Sequence, residues 1–308
     1  MSSFPFAIVD AFCIPNESFT GNQAAVCVLP SDDSLTDEIK QKIAAELNLS
    51  ETAFVSKSWH KSDSTSNDRQ FTLRWLTPET EVPLCGHATL ATARVLFETL
   101  QCEKETETQT TIEFDTKFKG KLAATMDWST NRISLDFPLA PAIPFSVSEL
   151  GCLPQLLTEL LGPTSTNEIH SIHYSPLTKK LLVRLQGEAS ESNVNDSTLL
   201  KLKPRLSGLV NIKGNDLILG IIATMKGSDE VNFYSRYFAP WVGIDEDPVT
   251  GSAHTVLAAY WSDEYKRNEI LGKQCSKRSG LVWCKLQEPG RVRLEGLSNF
   301  VVRGDLTL

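Results

Sequence analysis

Short apolar runs bounded by polar turns dominate the hydrophobic pattern of this chain. Runs of this kind are typical of buried strands. They predict strands at 6–12, 24–29, 53–56, 71–76, 110–114, 121–126, 132–137, 170–174, 180–185, 217–223, 231–238, 281–286, 292–294 and 300–302. Segment 36–47 instead repeats its apolar residues at helical spacing, which predicts an amphipathic helix.

Two further segments, 86–100 and 252–265, are apolar on nearly all sides and are predicted to be buried helices. Each begins within or just after one of two related heptads. Residues 82–88 read Val-Pro-Leu-Cys-Gly-His-Ala and align without a gap with residues 247–253, which read Asp-Pro-Val-Thr-Gly-Ser-Ala. The chain therefore contains the same sequence pattern, a heptad followed by an apolar helix, twice. Because helix starts present free N–H groups and a partial positive charge, the two starts predict one anionic group held between two halves.

Many strands and one long apolar helix in each half predict an α+β fold of two pseudo-symmetric domains, each a mostly antiparallel sheet rolled round a central helix. The cluster of Pro138, Pro141 and Pro144 predicts the domain boundary. We predict an N-terminal domain at 1–130 and a C-terminal domain at 140–308, whose extreme C-terminus packs back on the first domain. Ser146 and Glu149 form a predicted capping box. No G-x-G-x-x-G motif is present, so a dinucleotide-binding fold is not expected.

Composition and charge exclude several classes of partner. A net charge of −8 over 308 residues argues against nucleic acid or an anionic membrane as the main partner. Neither an apolar run of membrane-spanning length nor a secretory signal is evident. Seven cysteines without a C-x-x-C pair predict reduced thiols in the cytoplasm. No metal site is expected, because suitable ligand spacing is absent around the histidines His60, His170, His173 and His254.

Glu51 and Cys85 are the candidate proton-transfer groups. Glu51 lies between a predicted helix end and an apolar strand. It is either a surface carboxylate or a general base whose pKa burial would raise, so that it can take and return a proton. Cys85 is either a small buried hydrophobe or a thiolate that the helix start stabilises. Thr250 takes the matching place in the second copy, so a symmetric pair of thiols is absent.

Three more polar residues accompany these two. His87 lies at a helix start, where the helix dipole predicts a neutral imidazole. It is either a capping or core histidine or a proton shuttle. Asp247 is either a turn residue or a carboxylate that faces an amino group of a substrate. Asn22, taken alone, indicates only a turn before a strand.

Five blocks of sequence together resemble the phenazine biosynthesis PhzF-like family: 9–12 (Val-Asp-Ala-Phe), 21–24 (Gly-Asn-Gln-Ala), 49–52 (Leu-Ser-Glu-Thr), Thr77-Pro78 with 83–88, and 247–253. They occur in family order and at family spacing. The resemblance implies the diaminopimelate epimerase-like fold, with the active site in the cleft between two domains. It also implies activity without a cofactor and a homodimer.

Carried over residue by residue, the resemblance assigns the catalytic acid/base role to Glu51. His87 and Asp247 match the polar partners of the family at the substrate. Substrate-binding positions are matched by Asn22, Gly86, Gly251 and Ser252. Cys85 joins this binding set, because it stands where the two-thiol epimerases of the superfamily have their first catalytic cysteine.

The resulting hypothesis is a cofactor-independent isomerase that moves a proton on a small carboxylate-bearing substrate. Glu51 removes the proton from carbon and returns it at another position or face. The helix starts stabilise the charge that develops on the carboxylate, and closure of the cleft excludes water. Two alternatives stay open: an amino-acid epimerase or racemase that uses Cys85, and a non-catalytic binding protein on the same fold.

Overall fold

The computed structural model describes residues 2–57, 69–99, 108–162, 166–213, 215, 217–228 and 230–308. The chain divides into two units. The first contains Met1–Asp136 and Glu295–Leu308, and the second contains Phe137–Leu294. Both units combine strands with helices, so the predicted α+β class is confirmed. None of the helices in these described ranges has the length and apolar character needed to cross a membrane.

Seventeen strands are formed by the described residues: β1 Ser3–Cys13, β2 Asn22–Leu29, β3 Glu51–Lys57, β4 Gln70–Leu76, β5 Glu81–Val82, β6 Gln109–Thr116, β7 Gly120–Asp127, β8 Arg132–Pro138, β9 Ile143–Pro144, β10 Ile169–Ser175, β11 Lys180–Ala189, β12 Gly220–Gly227, β13 Phe233–Ala239, β14 Ile244–Asp247, β15 Glu269–Gln274, β16 Gly280–Gln287 and β17 Arg291–Thr307. The α-helices of the same residues are α1 Asp37–Leu47, α2 Gly86–Thr99, α3 Leu153–Leu161, α4 Thr198–Lys201, α5 Leu206–Val210 and α6 Gly251–Tyr265.

In the first unit, the sheet surrounds one buried helix. Strand β1 pairs antiparallel with β2 and with residues 297–307 of β17. Strand β2 is parallel to β3, β3 is antiparallel to β4, and β4 pairs antiparallel with β5 and parallel with β6. Strands β6, β7 and β8 continue antiparallel. Helix α2 lies against β1, β2, β3 and β7. Its buried Thr89 and Thr92 hydroxyls donate to carbonyls one turn earlier, so the apolar core keeps no unpaired hydroxyl there.

The second unit repeats this order of pairings. Strand β10 is antiparallel to β11, β11 is parallel to β12, and β12 is antiparallel to β13. Strand β13 pairs antiparallel with β14 and parallel with β15, which is antiparallel to β16. Helix α6 lies against β15 and β16. A leucine-rich core forms between α3 and the strands of this unit, with Leu156 and Leu160 fully buried.

The strand register agrees with the alignment of the two heptads. Val82 in β5 lies opposite Trp75 in β4, and Asp247 in β14 lies opposite Tyr237 in β13. Val82 and Asp247 are the first residues of the two heptads. In each unit the long buried helix then begins a few residues later, after the proline and the glycine-containing turn. The repeated sequence therefore has the same place in the order of strands.

Most predicted elements are confirmed, and several need correction. Helices α1, α2 and α6 match the predicted helices, although Leu100 lies outside the described residues, as do His60 and Cys102. The strands predicted at 292–294 and 300–302 are parts of the single strand β17. The predicted capping box is wrong: Glu149 does accept from Ser146 N at 2.6 Å, but this bond closes a turn, and α3 begins only at Leu153. Helices α3–α5 and strands β5, β9, β14 and β15 had no prediction.

Candidate active site

Two adjacent parallel strands and the start of α2 bring the first group of polar residues together. Helix α1 ends at Asn48, whose left-handed backbone (φ 49°) turns the chain into β3. Glu51 is therefore the first residue of β3, and Asn22 is the first residue of the neighbouring β2. Helix α2 begins at Gly86, directly after Cys85. Asn22, Glu51, Cys85 and His87 are buried. Gly86 is partly buried.

His87 is the centre of this group. Its Nε2 atom lies 3.1 Å from Glu51 Oε2 and 3.3 Å from Ser50 Oγ. Its other ring nitrogen, Nδ1, lies 3.2 Å from Asn22 Nδ2 and 3.4 Å from Cys85 Sγ. The Asn22 amide can present either its NH₂ group to a neutral imidazole or, after rotation, its oxygen to a protonated one. The group can therefore accommodate both protonation states of His87.

Glu51 and His87 form a buried ion pair, since they are only 8 % and 6 % exposed. Burial alone would raise the pKa of Glu51, but the charge of His87 and hydrogen bonds from His87, Ser50 and Cys85 outweigh it and hold this pKa below its usual value. Burial lowers the pKa of His87, yet the neighbouring acidic groups Cys85 and Glu51 raise it well above the ordinary value. Glu51 is thus a carboxylate and His87 an imidazolium at neutral pH. The predicted raised pKa of Glu51 and the predicted neutral His87 are both wrong, because each prediction left out the partner.

The thiol of Cys85 also differs from the sequence-based expectation. Burial and the negative charge of Glu51 raise its pKa, and the charge of His87 offsets only part of this effect. Cys85 is therefore a neutral thiol rather than the predicted thiolate. The helix start does not decide its charge, because the carboxylate lies within a few ångströms.

Glu51, Cys85 and His87 are also the group, within the part of the chain that the structure describes, whose ligand atoms lie close enough to hold a metal ion, all within 4.8 Å of one another. However, Glu51 faces Nε2 of His87 and Cys85 faces Nδ1. One ion can take only one nitrogen of this ring, whereas the contacts of the ring with the carboxylate and with the thiol use different nitrogens. This arrangement suits proton transfer better than metal binding, and the absence of a metal stays a prediction.

In the second unit, the residues predicted from the repeat surround the start of α6. Asp247 ends β14 and accepts a short hydrogen bond from the Thr250 hydroxyl. Gln274, at the end of β15, accepts from Thr250 N at 2.9 Å and donates to Asp247 O at 2.6 Å. Gly251 is the first residue of α6 and Ser252 the second, so their N–H groups have no partner within the helix.

Three residues of the second unit were missed by sequence reasoning. Gln274 fixes the loop before α6, and its strand shows no motif that would single it out. Lys180 and Tyr237 are both buried near Asp247. Burial lowers the pKa of Lys180 to about 8, although the charge of Asp247 opposes this effect. Burial and the same charge raise the pKa of Tyr237.

His254 has a structural role. It is fully buried, and its Nδ1 lies 2.8 Å from Thr250 O. Burial lowers its pKa to about 4, against a smaller opposing effect of this hydrogen bond. The neutral ring therefore donates its Nδ1 proton to the carbonyl of the residue before α6.

The predicted site residues thus form two groups, each within one unit. Asn22, Glu51, Cys85, Gly86 and His87 belong to the first unit. The second unit supplies Asp247, Gly251 and Ser252. A buried acid–imidazolium pair beside a helix start can accept a proton from a substrate and stabilise negative charge.

Comparison with known proteins identifies the family of the chain. The family described as phenazine biosynthesis-like protein (PhzC-PhzF) matches residues 9–304, and the chain belongs to this family. A phenazine biosynthesis-like domain-containing protein of Bos taurus is 42 % identical over 98 % of this chain and 99 % of its own length. An uncharacterized isomerase of Halalkalibacterium halodurans is 39 % identical over 100 % of both chains. The crystal structure of a PhzF-family protein from Enterococcus faecalis has a TM-score of 0.80 at 36 % identity and covers 100 % of both chains.

Proposed function

We propose that the protein is a cofactor-independent isomerase that moves a proton on a small carboxylate-bearing substrate. The observation that carries this proposal is the buried pair of Glu51 and His87, 3.1 Å apart. Burying two charges costs more than an apolar pair of the same volume would, so such a pair is weak evidence for a stabilising role. A carboxylate kept ionised away from water is instead a competent base toward a carbon acid. The names of bacterial relatives as isomerases support this class of reaction.

In the proposed mechanism, Glu51 takes a proton from a carbon atom of the substrate and becomes a carboxylic acid. The electron pair stays on the substrate as an enolate-like anion. N–H groups at the start of α2, from Gly86 and His87, stabilise the negative charge. Glu51 then gives a proton to another carbon or another face, either the one it took or one exchanged with solvent, so the reaction is redox-neutral and needs no further reactant. The imidazolium of His87 keeps Glu51 ionised between cycles.

We assign supporting roles in the second unit to Asp247, Gly251 and Ser252. The N–H groups of Gly251 and Ser252 bind a carboxylate oxygen, and Asp247 binds an amino or other donor group. We further propose that the two units are pseudo-symmetric copies of one design. The repeated order of strand pairings and the two heptads support this proposal. A homodimer and a cytoplasmic location stay predictions.

A second candidate function is epimerisation of an amino acid with Cys85 as a base. The 3.4 Å distance between Cys85 Sγ and His87 Nδ1 favours it, because a thiolate beside this ring would be stabilised by the charge of His87. The raised pKa of Cys85 makes the thiolate the less available base. A non-catalytic binding protein is the less favoured alternative, because simple binding needs no buried ion pair.

Solvent deuterium exchange tests the proposal. The wild type is incubated in D₂O with a panel of amino acids and cyclic carboxylates, without added metal or pyridoxal phosphate, and incorporation is followed by mass spectrometry. Glu51→Gln should lower the exchange rate by about 10²–10⁴, the usual loss for a general base. Glu46→Gln, at an exposed position of α1, is the matched control and should exchange like the wild type.

Two results would contradict the proposed role of Glu51. Full exchange by Glu51→Gln with loss in Cys85→Ala would move the chemistry to the thiol and favour the epimerase. Failure of the wild type to label any member of the panel would favour the binding protein.

A further inference from the structure

Lys180 and Tyr237 form a pair of buried polar side chains that contact each other near the charge of Asp247. Each is 7 % exposed, and Lys180 Nζ lies 5.4 Å from the centroid of the Tyr237 ring. Among the residues that the structure describes, neither Lys180 Nζ nor the Tyr237 hydroxyl has a hydrogen-bond partner or an ion pair within 4 Å. A buried ammonium without a partner is costly. The two donors are therefore expected to bind a ligand that accepts a hydrogen bond from each.

The strand register of the first unit gives the place of this pair. There, Trp75 lies opposite Val82 on one side and opposite Ala53 on the other. Two residues before Ala53 comes Glu51, which lies opposite Ala24 in the parallel strand β2. Starting from Val82, the first residue of the heptad, these strand pairings lead to Glu51, the proposed base.

The same steps in the second unit lead to Lys180. Tyr237 lies opposite Asp247 on one side and opposite Ile222 on the other. Two residues before Ile222 comes Gly220, which lies opposite Lys180 in the parallel strand β11. Gly220 therefore takes the place of Glu51, and Lys180 takes the place of its parallel neighbour.

The missing side chain at Gly220 makes room for Tyr237. A Cβ atom at Gly220 would lie 2.2 Å from the Tyr237 hydroxyl oxygen and 2.6 Å from two ring carbons. The phenol thus fills the space that corresponds to the side chain of Glu51, and the ammonium of Lys180 lies beside it. An acceptor group in the first unit corresponds to two donors in the second.

We propose that Lys180 and Tyr237 bind an anionic oxygen group of the substrate, of the carboxylate class, beside the start of α6. The site rests on the proposed function, whose substrate carries such a group. Lys180 is then the cation that decides specificity for anionic substrates, and it offsets part of the repulsion between the anion and Asp247. Because two donors bind the same acceptor, the subsite fixes the orientation of the anion as well as its charge.

Binding of benzoate and of succinate, followed by ligand-observed NMR, tests the subsite. Lys180→Met keeps the length of the side chain but removes the charge, and it should raise the Kd about 10- to 150-fold, the loss expected for a hydrogen bond to a charged group. Tyr237→Phe should raise it about 2- to 10-fold. Lys201→Met, at an exposed lysine of the same unit, is the control and should bind like the wild type.

A stability measurement separates binding from a structural role. Because an unpartnered buried charge destabilises the folded chain, Lys180→Met should keep or raise the urea midpoint. A lower midpoint together with unchanged binding would show that Lys180 only balances Asp247 within the fold, and would overturn the proposal. So would a wild type that binds neither benzoate nor succinate.

The same measurements distinguish this proposal from the proposed function. If binding depends on Lys180 but the wild type exchanges no deuterium into any substrate, the subsite stands and the isomerase proposal fails. If exchange depends on Glu51 while Lys180→Met binds as tightly as the wild type, the isomerase stands and the subsite fails.

Discussion

Replacing Glu51 by glutamine should destabilise the protein in a pH-dependent way, because the substitution changes the charge of His87. Glutamine keeps the size of the side chain but removes the negative charge 3.1 Å from His87 Nε2. In the wild type, Cys85 when ionised and then Glu51 raise the pKa of His87 against the effect of burial; because Cys85 is a neutral thiol, the charge of Glu51 is the one that remains. In the variant, burial prevails and the folded chain prefers a neutral imidazole.

The two proteins then respond to pH in opposite directions. In the wild type, the folded pKa of His87 is raised, so its contribution to stability is fully present below the unfolded pKa of about 6.5 and is lost as pH rises through the folded pKa. In the variant, the folded pKa falls below about 6.5, so stability is lost as pH falls. The lowered pKa of Glu51 in the wild type means that its own contribution is lost only at more acidic pH, as pH falls through that folded pKa.

The magnitude follows from the ordinary pKa of histidine. Each pH unit between the unfolded and folded pKa changes the free energy of unfolding by about 1.4 kcal/mol. From pH 7 to pH 5 the variant loses about 2 kcal/mol, while the wild type gains somewhat less than about 1 kcal/mol. The difference in free energy of unfolding between the two should therefore grow by about 2 to 3 kcal/mol over this range.

Urea unfolding at pH 5, 6 and 7, followed by the fluorescence of the buried tryptophans, measures this difference. Glu46→Gln serves as the control, because its exposed carboxylate has no histidine partner among the described residues and its effect should be small at every pH. An equal difference at pH 5 and pH 7 would refute the reasoning, since His87 would then keep its proton without Glu51. The thiolate of Cys85 would be the remaining counter-charge, and adding Cys85→Ala to the variant would then create the missing pH dependence.

Three further outcomes are expected. An alkylating reagent near pH 7 should label the half-buried Cys152 before Cys85, and peptide mapping that finds Cys85 first would show a thiolate there. Gly21→Ala should lower the free energy of unfolding by more than about 1 kcal/mol in urea titrations, because φ is +80° and the new Cβ would lie 2.3 Å from a backbone oxygen. Gly220→Ala should displace Tyr237 and weaken benzoate binding; binding at wild-type strength would argue against the hydroxyl as a donor.

The buried helices and the first group of site residues could be predicted because their signals are local. Apolar runs after a proline and a glycine define α2 and α6, and the sequence blocks around Glu51 and His87 single out both residues. Their charges could not be predicted, because the pKa directions depend on a 3.1 Å distance between residues of separate elements. Each residue taken alone gave the wrong direction.

Lys180 and Gln274 show a second limit of sequence reasoning. Both lie at the ends of ordinary strands, and only the folded chain brings Gln274 to Thr250, the residue before α6, and Lys180 near Asp247. The same limit explains why β17 was predicted as two short strands. Buried and partly buried residues alternate from 291 to 298, but the polar residues and glycine between the apolar runs 292–294 and 300–302 interrupt the apolar signal.

The pairing of β1 with residues 297–307 has a consequence for folding during synthesis on the ribosome. Strand β2, one neighbour of β1, is synthesised directly after it. The other neighbour, residues 297–307 of β17, is synthesised only after the whole second unit. Until then, β1 presents an unpaired edge that includes Phe4 and Val9, both buried in the finished fold. Such an edge invites pairing with other chains. A chain ending at residue 294 should therefore aggregate rather than fold.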